Sequence, residues 1–179
     1  QYVGVVPKGG VNITNDLAIG LKTDPEVAEK VKLQHAAAIA RSESRKVSIK
    51  HEKETLFFDQ AEIDEIVEAR LEEIFELVNK ELKKAGRAGQ LPSGAVLTGG
   101  TANLKGVAEY AKSQLGVAVR VGKPHGFGGV ADEIDKPHFA AAVGLMLVDA
   151  EAATVRPHGG STSKKSGGFI KSLLSKFKP

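Results

Sequence analysis

The sequence predicts an α/β protein. Two observations carry that prediction: short β-branched runs alternate with helical periods along the chain, and one such run, Ala95-Val96-Leu97, leads through a glycine pair into a helix. Residues 2–7 (YVGVVP) read as the end of a strand, and Lys8-Gly9-Gly10 turns the chain. Thr14-Asn15-Asp16 then opens a helix through Leu21, with Thr14 as N-cap, since its hydroxyl can accept from the free N–H groups of a first turn. Asp24-Pro25 starts a second helix, to about residue 40, with its proline where a missing N–H does no harm.

Residues 46–51 and 54–58 are short strands. Asp59 caps a long helix, and Glu62 three positions on makes a capping-box pattern. The helix runs to about residue 85, with Ile63, Ile66, Leu71, Ile74, Phe75, Val78 and Leu82 as its apolar face; Gly86 and Gly89 stop it. Residues 95–100 form a buried strand ending in glycines, followed by a helix over about 104–115 and a strand over 117–121. Residues 122–132 are loop. A small-residue helix over 139–149 (FAAAVGLMLVD) closes the globular part, and Ala140, Ala141, Ala142 and Gly144 suit close packing on a sheet.

Composition narrows the function. The net charge is +3 in 179 residues. Residues 164–179 carry five lysines and no acid, so the remainder is slightly acidic, unlike a nucleic-acid-binding domain. The absence of cysteine excludes disulfides and thiolate metal sites and fits a reducing compartment. The five histidines (35, 51, 125, 138 and 158) show no metal-ligand spacing. No apolar run approaches the ~20 residues of a membrane-spanning helix, and no signal-peptide pattern opens the chain. The chain starts without Met, directly in an extended stretch, as expected of a fragment of a longer protein.

The last twelve residues, GFIKSLLSKFKP, place Phe169, Ile170, Leu173, Leu174 and Phe177 at helical spacing, interleaved with Lys171, Lys176 and Lys178. Such a short basic amphipathic helix lies on a membrane surface or docks on its own protein core. The preceding Gly/Ser-rich stretch, composed like a flexible linker, favours the membrane. Each fully buried apolar side chain would contribute about 1.5–3 kcal/mol, only part of which is realised at an interface. Each nearby lysine adds roughly 1 kcal/mol on an anionic leaflet. Folding so short a helix costs much of this, so one copy should bind weakly and several copies strongly.

Within the globular part, Leu97-Thr98-Gly99-Gly100-Thr101-Ala102-Asn103 is the best ligand site, because a glycine turn entering a helix lets an anion approach backbone N–H groups. A purely steric need for glycine explains the same turn. The sequence is neither a dinucleotide fingerprint nor a P-loop. Gly9-Gly10 reads as a turn before a helix, and Glu29 with Lys32 as an exposed ion pair on one helix face. By residue chemistry alone this supports a nucleotide or anion site and no catalytic triad.

Taken together in order, Gly9-Gly10-Val-Asn-Ile-Thr-Asn-Asp-Leu-Ala-Ile-Gly-Leu, Val96-Leu-Thr-Gly-Gly-Thr-Ala-Asn-Leu-Lys-Gly, Val119-Arg-Val-Gly-Lys-Pro, Ala140-Ala-Ala-Val-Gly-Leu and the basic terminus resemble the C-terminal half of the FtsA family. These are bacterial cell-division proteins of the actin/Hsp70 superfamily. The resemblance implies an actin-like (ribonuclease H-like) α/β lobe, with subdomain 2A from residues 1–22 and 86–150 and a smaller α+β subdomain 2B inserted at 23–85. Residues 151–167 would be a flexible linker and 168–179 a membrane-targeting helix.

By position, the resemblance implies that Gly99, Gly100 and Thr101 contact the ribose and phosphates of ATP and Asn103 the adenosine surroundings. Glu29 and Lys32 flank the adenine and ribose. Arg70 falls where the family's helix holds the acidic C-terminal tail of FtsZ, a role apt for a guanidinium; pairing with neighbouring glutamates is its alternative. Phe169, Ile170, Lys171, Leu173, Leu174, Lys176, Phe177 and Lys178 would enter the membrane. The family's phosphate loops and Mg²⁺-side carboxylates belong upstream of Gln1, so ATP with Mg²⁺ is a cofactor of the intact protein. This stretch alone should bind ATP poorly and hydrolyse none, the intact protein being at most a weak ATPase.

The implied function is a membrane-tethering adaptor of the division ring, linking FtsZ filaments to anionic lipids on the cytoplasmic face of the inner membrane through ATP-regulated polymerisation. The alternative is a lobe of another actin-like ATPase driving pilus or shape-determining assembly. A sugar kinase of the same fold ranks last, since no sugar-binding residue can be named.

Overall fold

The computed structural model describes residues 1–39, 45–125 and 134–155, with backbone only for 151–155. The expected loop is described only to residue 125; the linker beyond residue 155 and the whole membrane-targeting helix, Phe169 to Lys178 included, lie outside these residues. The chain divides into two units, 1–121 and 122–179.

The first unit begins without the expected strand, since residues 2–6 have no ladder partner among the described residues. Instead, the Tyr2 hydroxyl donates to Glu81 Oε2 (2.7 Å). Helix α1 spans Gly10–Gly20 and its N-cap is Gly9, correcting Thr14. Asn12 Oδ1 accepts the Gly9 N–H at 2.8 Å, closing the first turn earlier than the threonine signal suggested. Thr14 therefore sits a full turn inside, buried, with its hydroxyl free for tertiary contacts.

Helix α2, Pro25–His35, stops short of the expected residue 40 because the backbone finds another partner. The Ala38 N–H donates to Lys105 O (2.8 Å), and Ala37 forms a parallel bridge with Lys105. Strands β1 (Lys46–His51) and β2 (Glu54–Asp59) then form an antiparallel hairpin, with Val47 and Ile49 on its buried face. Glu52 takes the left-handed conformation (φ 51°) that a tight hairpin turn needs.

Helix α3, Gln60–Lys84, is capped by Asp59, whose Oδ1 accepts from the Ala61 N–H at 2.9 Å. Its C-terminus closes as a Schellman motif: Arg87 N–H to Leu82 O (2.8 Å) and Gly86 N–H to Lys83 O (3.0 Å), with Gly86 at φ 65°. Ile63, Val67, Leu71 and Phe75 recur every fourth residue and form its buried stripe. Gln60 is also fully buried: its Nε2 donates to His35 O (3.1 Å) and Asp64 Oδ1 (2.8 Å), tying the start of α3 to the end of α2.

Strand β3 (Ala95–Leu97) pairs in parallel with β4 (Val119–Val121). The expected buried strand is only half buried, with Val96 49% exposed. Among the described residues this sheet has two strands, so alternate side chains have no covering layer. A 3₁₀ turn, Gly100–Asn103, precedes α4, Val107–Leu115. One hydrophobic core joins α1, α2, β1, α3, α4 and Val117.

In the second unit a 3₁₀ turn, Pro137–Phe139, leads into α5, Ala140–Val155. The small-residue helix was expected to be core, yet Leu145, Met146, Leu147 and Val148 are exposed. The described part of this unit contains no strand for that face to pack against. Among the described residues no helix is long and apolar enough to cross a membrane.

Candidate functional site

Three segments far apart in sequence meet at the start of α1. A Cβ placed on Gly10 would lie 2.5 Å from Thr101 Oγ1 and 3.9 Å from Lys32 Nζ. A side chain at position 10 would press on the Thr101 hydroxyl, which would have to turn away. The approach joins the two glycine pairs, one entering α1 and the other leaving β3, and adds the middle of α2.

Lys32 organises the cluster. Its ammonium donates to Glu29 Oε2 (2.6 Å), Thr14 Oγ1 (2.8 Å) and Gly10 O (3.2 Å). Three acceptors match the three protons of the ammonium, and the side chain is only 16% exposed. The Thr14 hydroxyl donates to the same Glu29 Oε2 at 2.5 Å. Burial pushes the Glu29 carboxyl upward, but hydrogen bonds from Lys32 and Thr14 and the Lys32 charge outweigh it and hold it below the ordinary 4.5. The expected ion pair is therefore real, and it is part of a buried-edge network where an isolated surface pair was the simpler reading.

At the β3 end, Gly99 has φ 94° and ψ −178°, a conformation open essentially to glycine alone. A Cβ on Gly99 or Gly100 would meet nothing within 4 Å, so the backbone there faces open space. The turn is held by Ala102 N–H to Gly99 O (3.2 Å) and Leu104 N–H to Thr101 O (3.0 Å). Asn103 donates back to Gly100 O (3.0 Å). Open backbone beside a cationic and an anionic side chain can hold a ligand carrying both hydroxyl groups and negative charge.

Sequence reasoning named Gly99, Gly100, Thr101, Asn103, Glu29 and Lys32, and the structure sets Glu29, Lys32 and Thr101 around Gly10. It missed Thr14 as a member, having assigned it to the cap. The available signal was weak: Thr14 lies four residues after Gly10, on the same helical face. Nothing in the sequence pairs α1 with α2.

Arg70 lies elsewhere. Its Nε and Nη2 grip Asp16 of α1 as a fork, at 2.5 and 2.8 Å, and Nη1 bonds Glu73. Lys8 reaches Glu73 at 3.4 Å. These bonds and the Asp16 charge raise the already high pKa of the guanidinium, against a lowering by burial. Thr14 and Asp16 point about 200° apart around a 3.6-residue helix, so α1 meets Glu29 and Lys32 on one face and α3 on the other.

The sequence matches the family model described as cell division protein FtsA over residues 1–144. It is 33% identical over 151 residues to the FtsA of Pseudomonas aeruginosa, covering 82% of this chain and 36% of that protein. Against the FtsA of Bacillus subtilis it is 42% identical over 146 residues, covering 79% and 32%. The chain thus spans less than half the length of the curated relatives it matches. Among solved structures, MreB5 of Spiroplasma citri bound to ADP superposes with a TM-score of 0.61 at 12% identity, over 85% of this chain and 48% of that one. That likeness is one of fold, and the fold is actin-like.

Proposed function

From a chain that belongs to the FtsA family of actin-like cell-division proteins, we propose a membrane-tethering adaptor whose described lobe holds one side of an adenine nucleotide. The observation that carries the reading is the meeting of Gly10, Glu29, Lys32 and Thr101 beside the open Gly99-Gly100 backbone. Gly99, Gly100 and Thr101 would take ribose and phosphate oxygens, Glu29 and Lys32 would flank the sugar and base, and Asn103 would lie in the adenosine surroundings. ATP would supply an occupancy signal for polymerisation of the intact protein. The residues fit the organic side of such a ligand. For its magnesium, no group of three or more His, Asp or Glu side chains is placed to hold a metal ion among the described residues.

In this reading residues 1–22 and 86–150 act as subdomain 2A and 23–85 as 2B. The terminal helix supplies the lipid contact at the cytoplasmic face of the inner membrane. Arg70 is a candidate for the FtsZ tail, and any tail carboxylate must compete with Asp16 for its fork. The family match over residues 1–144 supports this reading over a pilus or shape-determining ATPase.

Flotation with anionic phosphatidylglycerol vesicles tests the tether. The chain should rise with the vesicles, and the double substitution Phe169→Glu with Phe177→Glu should leave it at the bottom. Equal flotation of both would overturn the membrane role.

A further inference from the structure

Thr14 has a chemistry that a buried helical threonine does not normally show. A threonine inside a helix ordinarily donates to the carbonyl four residues back. Here that carbonyl, Gly10 O, lies 3.3 Å away, while Glu29 Oε2 lies at 2.5 Å. A hydroxyl has one proton, and the shorter bond to a carboxylate takes it. The lone pairs of the hydroxyl then face Lys32 Nζ at 2.8 Å.

The consequence falls on Glu29. Both anchoring bonds, from Thr14 and Lys32, converge on Oε2, and among the described residues Oε1 has no hydrogen-bond partner. The side chain is 42% exposed, and that second oxygen is left without a bond that a ligand would have to displace. Two anchors on one oxygen fix the carboxylate plane better than one flexible lysine could, because the Thr14 hydroxyl is mounted on a buried, β-branched stem.

We infer that Thr14 is a positioning residue of the site: it turns Glu29 so that Oε1 faces the ligand, and it presents an acceptor that keeps Lys32 in place. The inference rests on the nucleotide reading above and adds a member that touches Glu29 and Lys32 without being assigned a ligand contact itself. The charged groups facing the hydroxyl are Glu29 and Lys32, both from α2.

The test uses the full chain and three variants, Thr14→Val, Thr14→Ala and Thr14→Ser, each checked for folding by circular dichroism. Carbon-detected NMR follows the Glu29 carboxyl through its titration, and calorimetry measures ADP binding with ADP up to millimolar concentration. T14V, which keeps volume and removes the hydroxyl, should raise the Glu29 midpoint and weaken ADP about tenfold, the usual effect of losing a charge-assisted hydrogen bond. T14A should act in the same direction, and T14S should restore both readouts. A packing role alone would not move the Glu29 midpoint. An unmoved midpoint in T14V and T14A overturns the Thr14 assignment, as does unchanged ADP affinity. This stretch alone is expected to bind ADP weakly, so a Glu29 carboxyl signal that does not shift even at millimolar ADP overturns the nucleotide reading, whereas an unmoved midpoint overturns the Thr14 assignment alone.

Discussion

At the scale of single residues, the molecule spends its charges on joining helices. Arg70 and Asp16 form a two-pronged bond between α3 and α1, with the arginine side chain 18% exposed and the aspartate 27%. Removing the fork by Arg70→Ala should lower stability by about 1–2 kcal/mol after allowance for solvent screening, read as a shifted urea midpoint. Asp16→Asn, which keeps shape and loses charge, should recover part of that loss. Glu29 makes a pH-dependent contribution. Its folded pKa lies below 4.5, so its bonding stabilises the fold above the unfolded value and the benefit disappears as pH falls through the depressed folded value. Urea unfolding of the unsubstituted chain and of Glu29→Gln should therefore differ at pH 7 and converge well below pH 4.5. A constant gap across that range would contradict the assignment. These pairings were legible only as residue types: the sequence put an arginine among glutamates, and Glu73 does bond it, but Asp16 lies 54 positions away.

At the scale of elements, periodicity served well where packing is one-sided and failed where partners are remote. Helix α3 follows its amphipathic pattern because its buried stripe faces a single core. Leu71, 1% exposed in the middle of that stripe, should cost about 2–5 kcal/mol when replaced by alanine, measured by chemical unfolding. A change under 1 kcal/mol would mean the stripe is not packed as described. By contrast, Gln60 gave no apolar signal and is nonetheless fully buried, with both protons of its amide nitrogen accepted by a carbonyl at the end of α2 and by Asp64. The early end of α2 has the same origin. Its last expected residues leave the helix to pair with Lys105, a partner 68 positions on from Ala37. Thr14 was misplaced because a threonine before apolar residues is a sound cap signal, and the Asn12 side chain pre-empted it at Gly9.

At the scale of the whole molecule, the globular lobe and the proposed terminal anchor belong to one reading only if the anchor acts in numbers. A single short anchor gives weak binding. Two copies of the chain joined by a flexible linker should bind anionic vesicles roughly 10²–10⁴ times more tightly than one, and equal affinity would show that multivalency is not how the anchor works. The sequence by itself determined the α/β class, the actin-like family, the order of nearly every helix and strand, and the interleaved apolar and basic pattern of the terminus. Those properties are local: they follow from the period of apolar residues, the turn chemistry of glycine and proline, and motifs held within a dozen positions. What only the tertiary structure decided is which of those motifs share a site. Gly10 meets Thr101 across 91 positions of sequence, and Thr14 gives its proton to Glu29 on another helix. A hydrogen bond reaches about 3 Å whatever the separation along the chain, so sequence spacing carries no record of it until the core brings α1, α2 and the β3 turn together.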